Sequence, residues 1–250
     1  MKKIRLLALV TVSVLMLNNA LAQSSSNAVE QAFELINGWR KDHPSYSATV
    51  ESVSPSMSGI HKIFSYQDDG KKMWSLHSKY TKPTNFESIT YPSEKMGILT
   101  YIPESDLYAL TLPGSDLEVL RAILTRPGYP ISYEALKAVS KNMTLESGKN
   151  PRLAITIDLN KLNGALDGIP PGVQELTIKL DFDEKGRILK TIQEVSGFQN
   201  VSTINYDSFD NEKIKTAAIK LPKEPTTAPK RTLKEAITET IIILANRQKA

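Results

Sequence analysis

The 250-residue chain contains no cysteine. That excludes a disulfide framework, thiolate zinc and iron–sulfur ligation, and a cysteine nucleophile. Nucleotide-binding glycine loops are missing too: neither G-x-x-x-x-G-K-[ST] nor G-x-G-x-x-G occurs, so the backbone has no phosphate cradle of those kinds. There is no G-x-S-x-G elbow and no S-x-x-K in a credible context, which leaves acyl-transfer catalysis without a local motif. No apolar run reaches the roughly 20 residues that span a bilayer. Blocks of one charge sign are also lacking: 31 Lys and Arg are scattered among 27 Asp and Glu, without the basic stripe of a nucleic-acid binder.

At the start of the chain, Lys2, Lys3 and Arg5 precede the apolar stretch Leu6 to Leu17, and Ala20-Leu21-Ala22 forms a small-x-small site before Gln23. This is the pattern of a secretory signal peptide over residues 1–22. With no Cys beside the cleavage site there is no lipoprotein acylation point, and the expected location is the periplasm. Without its three basic residues, 28 Lys and Arg face 27 Asp and Glu over 228 residues, a nearly neutral chain.

Val29, Phe33 and Ile36 recur at helical spacing, widened by Ala28, Ala32 and Leu35, and Asn37-Gly38 is expected to end or fray that helix. From Tyr46 to Leu112, short apolar segments separated by turn residues predict a meander of about six strands. Around Asp68-Asp69-Gly70 the large residues Ile60, Phe64 and Tyr66 have the same parity as Trp74, Leu76 and Tyr80. A three-residue loop keeps all six on one face, with Phe64 opposite Trp74 and with His61, Ser65, Ser75 and His77 on the other.

Next come Ser115 with Glu118, a capping box ahead of Leu117, Leu120 and Leu124, and Ser132 ahead of Leu136, with Ile131 placed for a hydrophobic staple. Two inserted helices are expected. Strands resume at Leu153 to Leu159 and Leu176 to Phe182, then through Ile188 to Val195, Val201 to Tyr206 and Ile214 to Leu221. Residues 223–231 read as an extended linker, and Thr232 with Glu235 caps a last helix presenting Leu233, Ile237, Ile241 and Leu244. Docking on the domain's own sheet, dimerisation, a second protein or a membrane surface are the options for that face.

His61 and His77 fall opposite each other in the chosen register, but no third ligand is placed beside them, so they read as polar positions rather than a metal site. Asp181, Asp183, Glu184 and Gly186 resemble the start of a calcium loop; Lys185 stands at the fifth position and the bidentate Glu is missing, so a hairpin turn is the expectation. No metal and no cofactor is expected.

Several stretches resemble the bacterial outer-membrane lipoprotein carrier family, LolA and LolB, and related LolA-like domains. They are Tyr46-Ser47-Ala48-Thr49-Val50, Lys82-Pro83-Thr84-Asn85-Phe86, Tyr101-Ile102-Pro103 before Leu107-Tyr108, and Phe182 to Ile188 with Gly197, Thr203-Ile204-Asn205-Tyr206 and Ile219-Lys220-Leu221-Pro222. The resemblance runs from about Ser26 to Pro222. Glu87 stands where members often carry Arg, and the C-terminal helix lies outside the match. The resemblance implies an α+β fold, a curved antiparallel sheet forming an incomplete β-barrel over residues 23–222, with a helical lid at about 114–140; the capping box and apolar spacing add a C-terminal amphipathic helix over 232–250.

It also implies a non-enzymatic periplasmic carrier or binding protein for lipid or lipoprotein acyl chains, neither membrane-spanning nor bound to nucleic acid. Ile60, Phe64, Trp74, Leu76 and Tyr80 would contact the chain, with Leu120 and Leu124 on the lid. The competing reading of these residues is a filled core. The alternative function is an envelope interaction or sensor module, as in sigma-regulating proteins with LolA-like domains, contacting a partner protein through the last helix.

Overall fold

A computed structural model describes residues 27–93, 95–111, 132–162, 172–218 and 220–247. Residues 1–22, expected as a signal peptide, and the residues around Leu117, Leu120 and Leu124 lie outside these ranges. The fold is α+β: among the described residues, one open, curved antiparallel sheet of eleven strands with four α-helices.

Helix α1 covers residues 27–42. It runs through Gly38 instead of ending there, because its inward stripe continues past the glycine: Val29, Phe33 and Ile36 are buried, and so are Trp39 and Arg40. Six strands follow, β1 (Tyr46–Val53), β2 (Ser58–Asp68), β3 (Lys71–Lys82), β4 (Phe86–Ser93), β5 (Gly97–Ile102) and β6 (Leu107–Thr111), as the alternation predicts. Helix α2 (Tyr133–Val139) begins where Ser132 accepts a hydrogen bond from Ala135 N. A second meander comprises β7 (Ser140–Glu146), β8 (Arg152–Asp158), β9 (Glu175–Phe182), β10 (Ile188–Val195) and β11 (Phe198–Ser208). Strand β7 is an addition to the sequence expectation; its single partner strand, β8, makes it an edge, and its alternation is diluted by lysine and asparagine.

The segment from Ile214, expected as a strand, is instead helix α3 (Asn211–Ala217). Asp210 is its N-cap, accepting from Glu212 N and Lys213 N, and this local cap prevails over a short apolar alternation. Residues 220–232 run without helix or strand to α4 (Leu233–Arg247). Thr232 and Glu235 form the reciprocal box, Thr232 N donating to Glu235 Oε2 at 2.8 Å and Glu235 N to Thr232 Oγ1 at 3.3 Å.

The two meanders join where β1 pairs with β11, giving the order β6-β5-β4-β3-β2-β1-β11-β10-β9-β8-β7. Under one half of the inner face, Val29, Ala32, Phe33 and Ile36 of α1 pack with Leu136 of α2 on Leu153, Ile155, Ile157, Leu176, Ile178 and Leu180. Ile36 and Phe33 are 0% and 1% exposed, and truncating either to Ala removes about 2 to 5 kcal/mol. Under the other half, Leu233, Ala236, Ile237 and Leu244 of α4 pack with Phe86, Ile102 and Ala109.

The Asp181-to-Gly186 stretch is a hairpin turn. Asp183 Oδ1 accepts from Lys185 N at 3.0 Å and Arg187 N at 2.9 Å. Gly186 has φ +84°, and a Cβ there would collide with the Leu35 carbonyl, so the turn seats directly on α1 and admits no side chain.

Candidate functional site: a cavity on the inner face of the sheet

The site follows from the register of β2 and β3. Asp68 pairs with Lys71, so the loop holds two residues, Asp69 at φ +48° and Gly70 at φ +75°. Two positive φ values are what a primed Asp-Gly hairpin turn requires. The three-residue loop, and Phe64 opposite Trp74, are therefore corrected: Phe64 pairs with Ser75, and Trp74 with Ser65. Odd residues of β2 share a face with even residues of β3.

The parity argument failed because large residues occupy both faces of β2. Phe64 is buried although it faces away from Trp74. It shares its face with Tyr66, whose phenol feels the charge of Lys215 in α3, and α3 packs against β2. The outer face is covered farther along as well. Tyr91 and Leu99 are buried there, and Tyr108 donates its hydroxyl to Lys223 O at 2.7 Å.

On the inner face, α1 covers β8 to β10 and α4 covers β4 to β6, and a cavity of about 250 Å³ remains between them. Ile63, Trp74, Leu76, Tyr80, Val50, Ile98 and Leu233 supply its apolar wall. Trp74, Leu76 and Tyr80, all expected from sequence, are thus brought together. Ile60 and Phe64 are not: they lie on the opposite face, Ile60 at 47% exposure. Leu120 and Leu124 fall outside the described residues.

Sequence reading passed over the serines and threonines of the lining and set His61 on the opposite face, which the register corrects. Ser52, His61, Ser78, Ser88, Thr90, Thr100 and Ser202 all face the cavity. The small volume of these serines and threonines is why space remains between two well-packed halves. Had the Asp69-Gly70 turn set the parity, alternation would have placed His61 and Ile63 of β2 on the face of Trp74, Leu76, Ser78 and Tyr80.

The two histidines separate. His77 is on the outer face, its Nε2 2.7 Å from Glu87 Oε2; the Glu87 carboxyl is held below the usual carboxylate range, first by Lys79 and then by His77. His61 is on the inner face with its ring edge toward Tyr80, 5.5 Å between centroids, and burial pushes its pKa down. No group of three or more His, Asp or Glu capable of holding a metal occurs among the described residues.

The cavity wall is backed by an aromatic cluster that the sequence reading did not single out. Trp39 stacks on His43 at 4.8 Å and meets Tyr206 at 5.0 Å and Tyr46 at 5.7 Å. Trp39 and Tyr46 pack with Val50 and Ile63. Burial raises the Tyr46 phenol well above its ordinary value and lowers the Arg40 guanidinium beside it. Among the described residues, no helix is long and apolar enough to cross a membrane.

No family model matches the chain, and no curated protein matches it. Among solved structures it is similar to LprF from Mycobacterium bovis, with 14% identity, TM-score 0.38, and coverage of 78% of this chain and 97% of that one. It is also similar to the lipoprotein LppX from Mycobacterium tuberculosis, with 12% identity, TM-score 0.40, and coverage of 72% and 95%. A third similar structure is the Pseudomonas aeruginosa MucA/MucB complex, with 10% identity, TM-score 0.37, and coverage of 74% of this chain and 60% of that one.

Proposed function

We propose that the protein is a carrier or binding protein for the acyl chain of a lipid or lipoprotein, acting in the periplasm after removal of residues 1–22. The observation that carries this reading is the cavity of about 250 Å³ between the curved sheet and α4, walled by Ile63, Trp74, Leu76, Ile98 and Leu233. Concave, mostly apolar pockets of about 300 to 1,000 Å³ are the usual small-molecule sites; this one approaches that size and suits a single narrow chain. The LolA and LolB resemblance at Lys82 to Phe86 and Phe182 to Ile188 supports the same class. The cavity residues offer hydrogen bonding and apolar contact, in keeping with binding rather than catalysis.

The interaction-module reading has less support. The apolar stripe of α4 that would meet a partner is packed on Phe86, Ile102 and Ala109.

The chain has two tryptophans, and only Trp74 lines the cavity. In a Trp39→Phe variant, titration with hexadecanoic acid is expected to shift the remaining emission, and Trp74→Phe alone is expected to abolish the response. No emission change, together with no displacement of a fluorescent fatty acid at saturation, would refute an acyl-chain cavity.

A further inference from the structure

The inner face carries one row of polar groups that the fold itself leaves unused. His61, Ser78 and Ser88 pair directly across β2, β3 and β4, so their side chains stand side by side on one face. All three line the cavity. Ser78 and Ser88 are 1% and 3% exposed, yet neither hydroxyl hydrogen-bonds another described residue. Neighbouring hydroxyls do find each other: Ser52 meets Ser202 at 2.8 Å, and Thr90 meets Thr100 at 2.9 Å. Burial disfavours the charged form of the His61 ring, and a neutral imidazole presents one N–H donor and one lone pair.

Buried hydroxyls without partners lower stability, and alanine would fit a sheet at both serine positions. In an empty cavity, water satisfies such groups. A ligand that expels that water must replace its hydrogen bonds, which a run of methylenes cannot do. The row lies two residues, or about 6.6 Å along the strands, inside the end row of Ser52 and Tyr80. Beyond it stand Ile63, Leu76 and Trp74, and the one polar pair in the adjoining row, Thr90 and Thr100, is satisfied by its own mutual hydrogen bond.

From this juxtaposition we infer that the cavity takes an acyl chain bearing an oxygen function part-way along, a hydroxyl or the carbonyl of an ester or amide, held by Ser78, Ser88 and His61. The inference rests on the acyl-chain reading above and deepens it. A site built to hydrogen-bond a ligand oxygen rejects the analogue that lacks it, because its own polar groups are then left unpaired.

The test is displacement of a fluorescent fatty acid from the full chain by three kinds of probe. These are hexadecanoic acid, hydroxyhexadecanoic acids with the hydroxyl stepped along the chain, and 1-monopalmitoylglycerol. One oxygenated probe is expected to bind at least about five-fold tighter than hexadecanoic acid, the range of one or two added hydrogen bonds. A hydroxy acid in that role identifies a hydroxyl as the group, and the glycerol ester identifies a carbonyl. In the Ser78→Ala/Ser88→Ala variant that preference should fall to within two-fold, because hexadecanoic acid then binds more tightly with no hydroxyl left unpaired, and thermal stability should be equal or higher. Equal binding of all probes to the unmodified chain, or a preference that survives in the variant, overturns this inference alone. Failure of every probe to bind overturns the acyl-chain reading and this inference with it.

Discussion

Single residues decide how the inner face is used. His61 sits on a cavity wall where burial disfavours the imidazolium. Its folded pKa lies below the unfolded value of about 6.5, so the unfolded chain binds the proton more readily. The stability this supplies is complete above about pH 6.5 and is lost as pH falls from there through the folded pKa, at up to about 1.4 kcal/mol per pH unit. Denaturant midpoints measured at pH 7.5 and 5.5 are expected to converge in His61→Gln relative to the unmodified chain. An identical drop in both would contradict a desolvated His61. Gly59 shows the same crowding on a neighbouring position: a Cβ there would lie 2.6 Å from the Lys79 carbonyl oxygen, so that point of the β2–β3 pairing admits only glycine.

At the scale of elements, α4 is both cover and wall. The chain passes Lys223 at Tyr108, accepts a backbone hydrogen bond from Leu110 N at Arg231 O, 3.1 Å, and then lays α4 on the inner face. Ala236 is fully buried and Thr240 meets Ser105 at 2.7 Å. A carboxylate at position 236 would be buried without a partner, and a chain-end helix releases more readily than the sheet unfolds. Hydrogen exchange of Ala236→Glu is expected to rise over Leu233–Arg247 and in β5 and β6, while β8 to β10 keep their protection. Unchanged exchange in β6 would show that α4 is not a structural cover. Because Leu233 lines the cavity, the same variant should also weaken fatty-acid uptake, which reading the sequence alone did not attach to this helix.

Over the whole molecule, the legible parts were those with strong local signals. The β1-to-β6 meander, the Ser132 and Thr232 caps and the Phe182-to-Ile188 hairpin follow from alternation, capping boxes and turn residues. The hidden parts depend on long-range cover. Alternation marks an inner face only where the other face is wet, and here α3 and residues 220–230 cover the outer face, so Ile60 and Phe64 looked as inward as Trp74. His61 was set on the wet face for the same reason, and Ser78 and Ser88 drew no attention as small polar positions. A cavity is a shortage of side-chain volume between α1 and α4, and no local pattern announces it.

The central claim is that the space between the sheet and α4 is filled by one acyl chain rather than by side chains of the protein. Native mass spectrometry of the full chain, purified and then incubated with hexadecanoic acid and with 1-monopalmitoylglycerol, reads this directly. The account predicts one bound molecule per chain, displaced when Ser88→Phe fills the cavity with a side chain. A chain that stays unliganded with both probes, or one that binds equally well in Ser88→Phe, would contradict it.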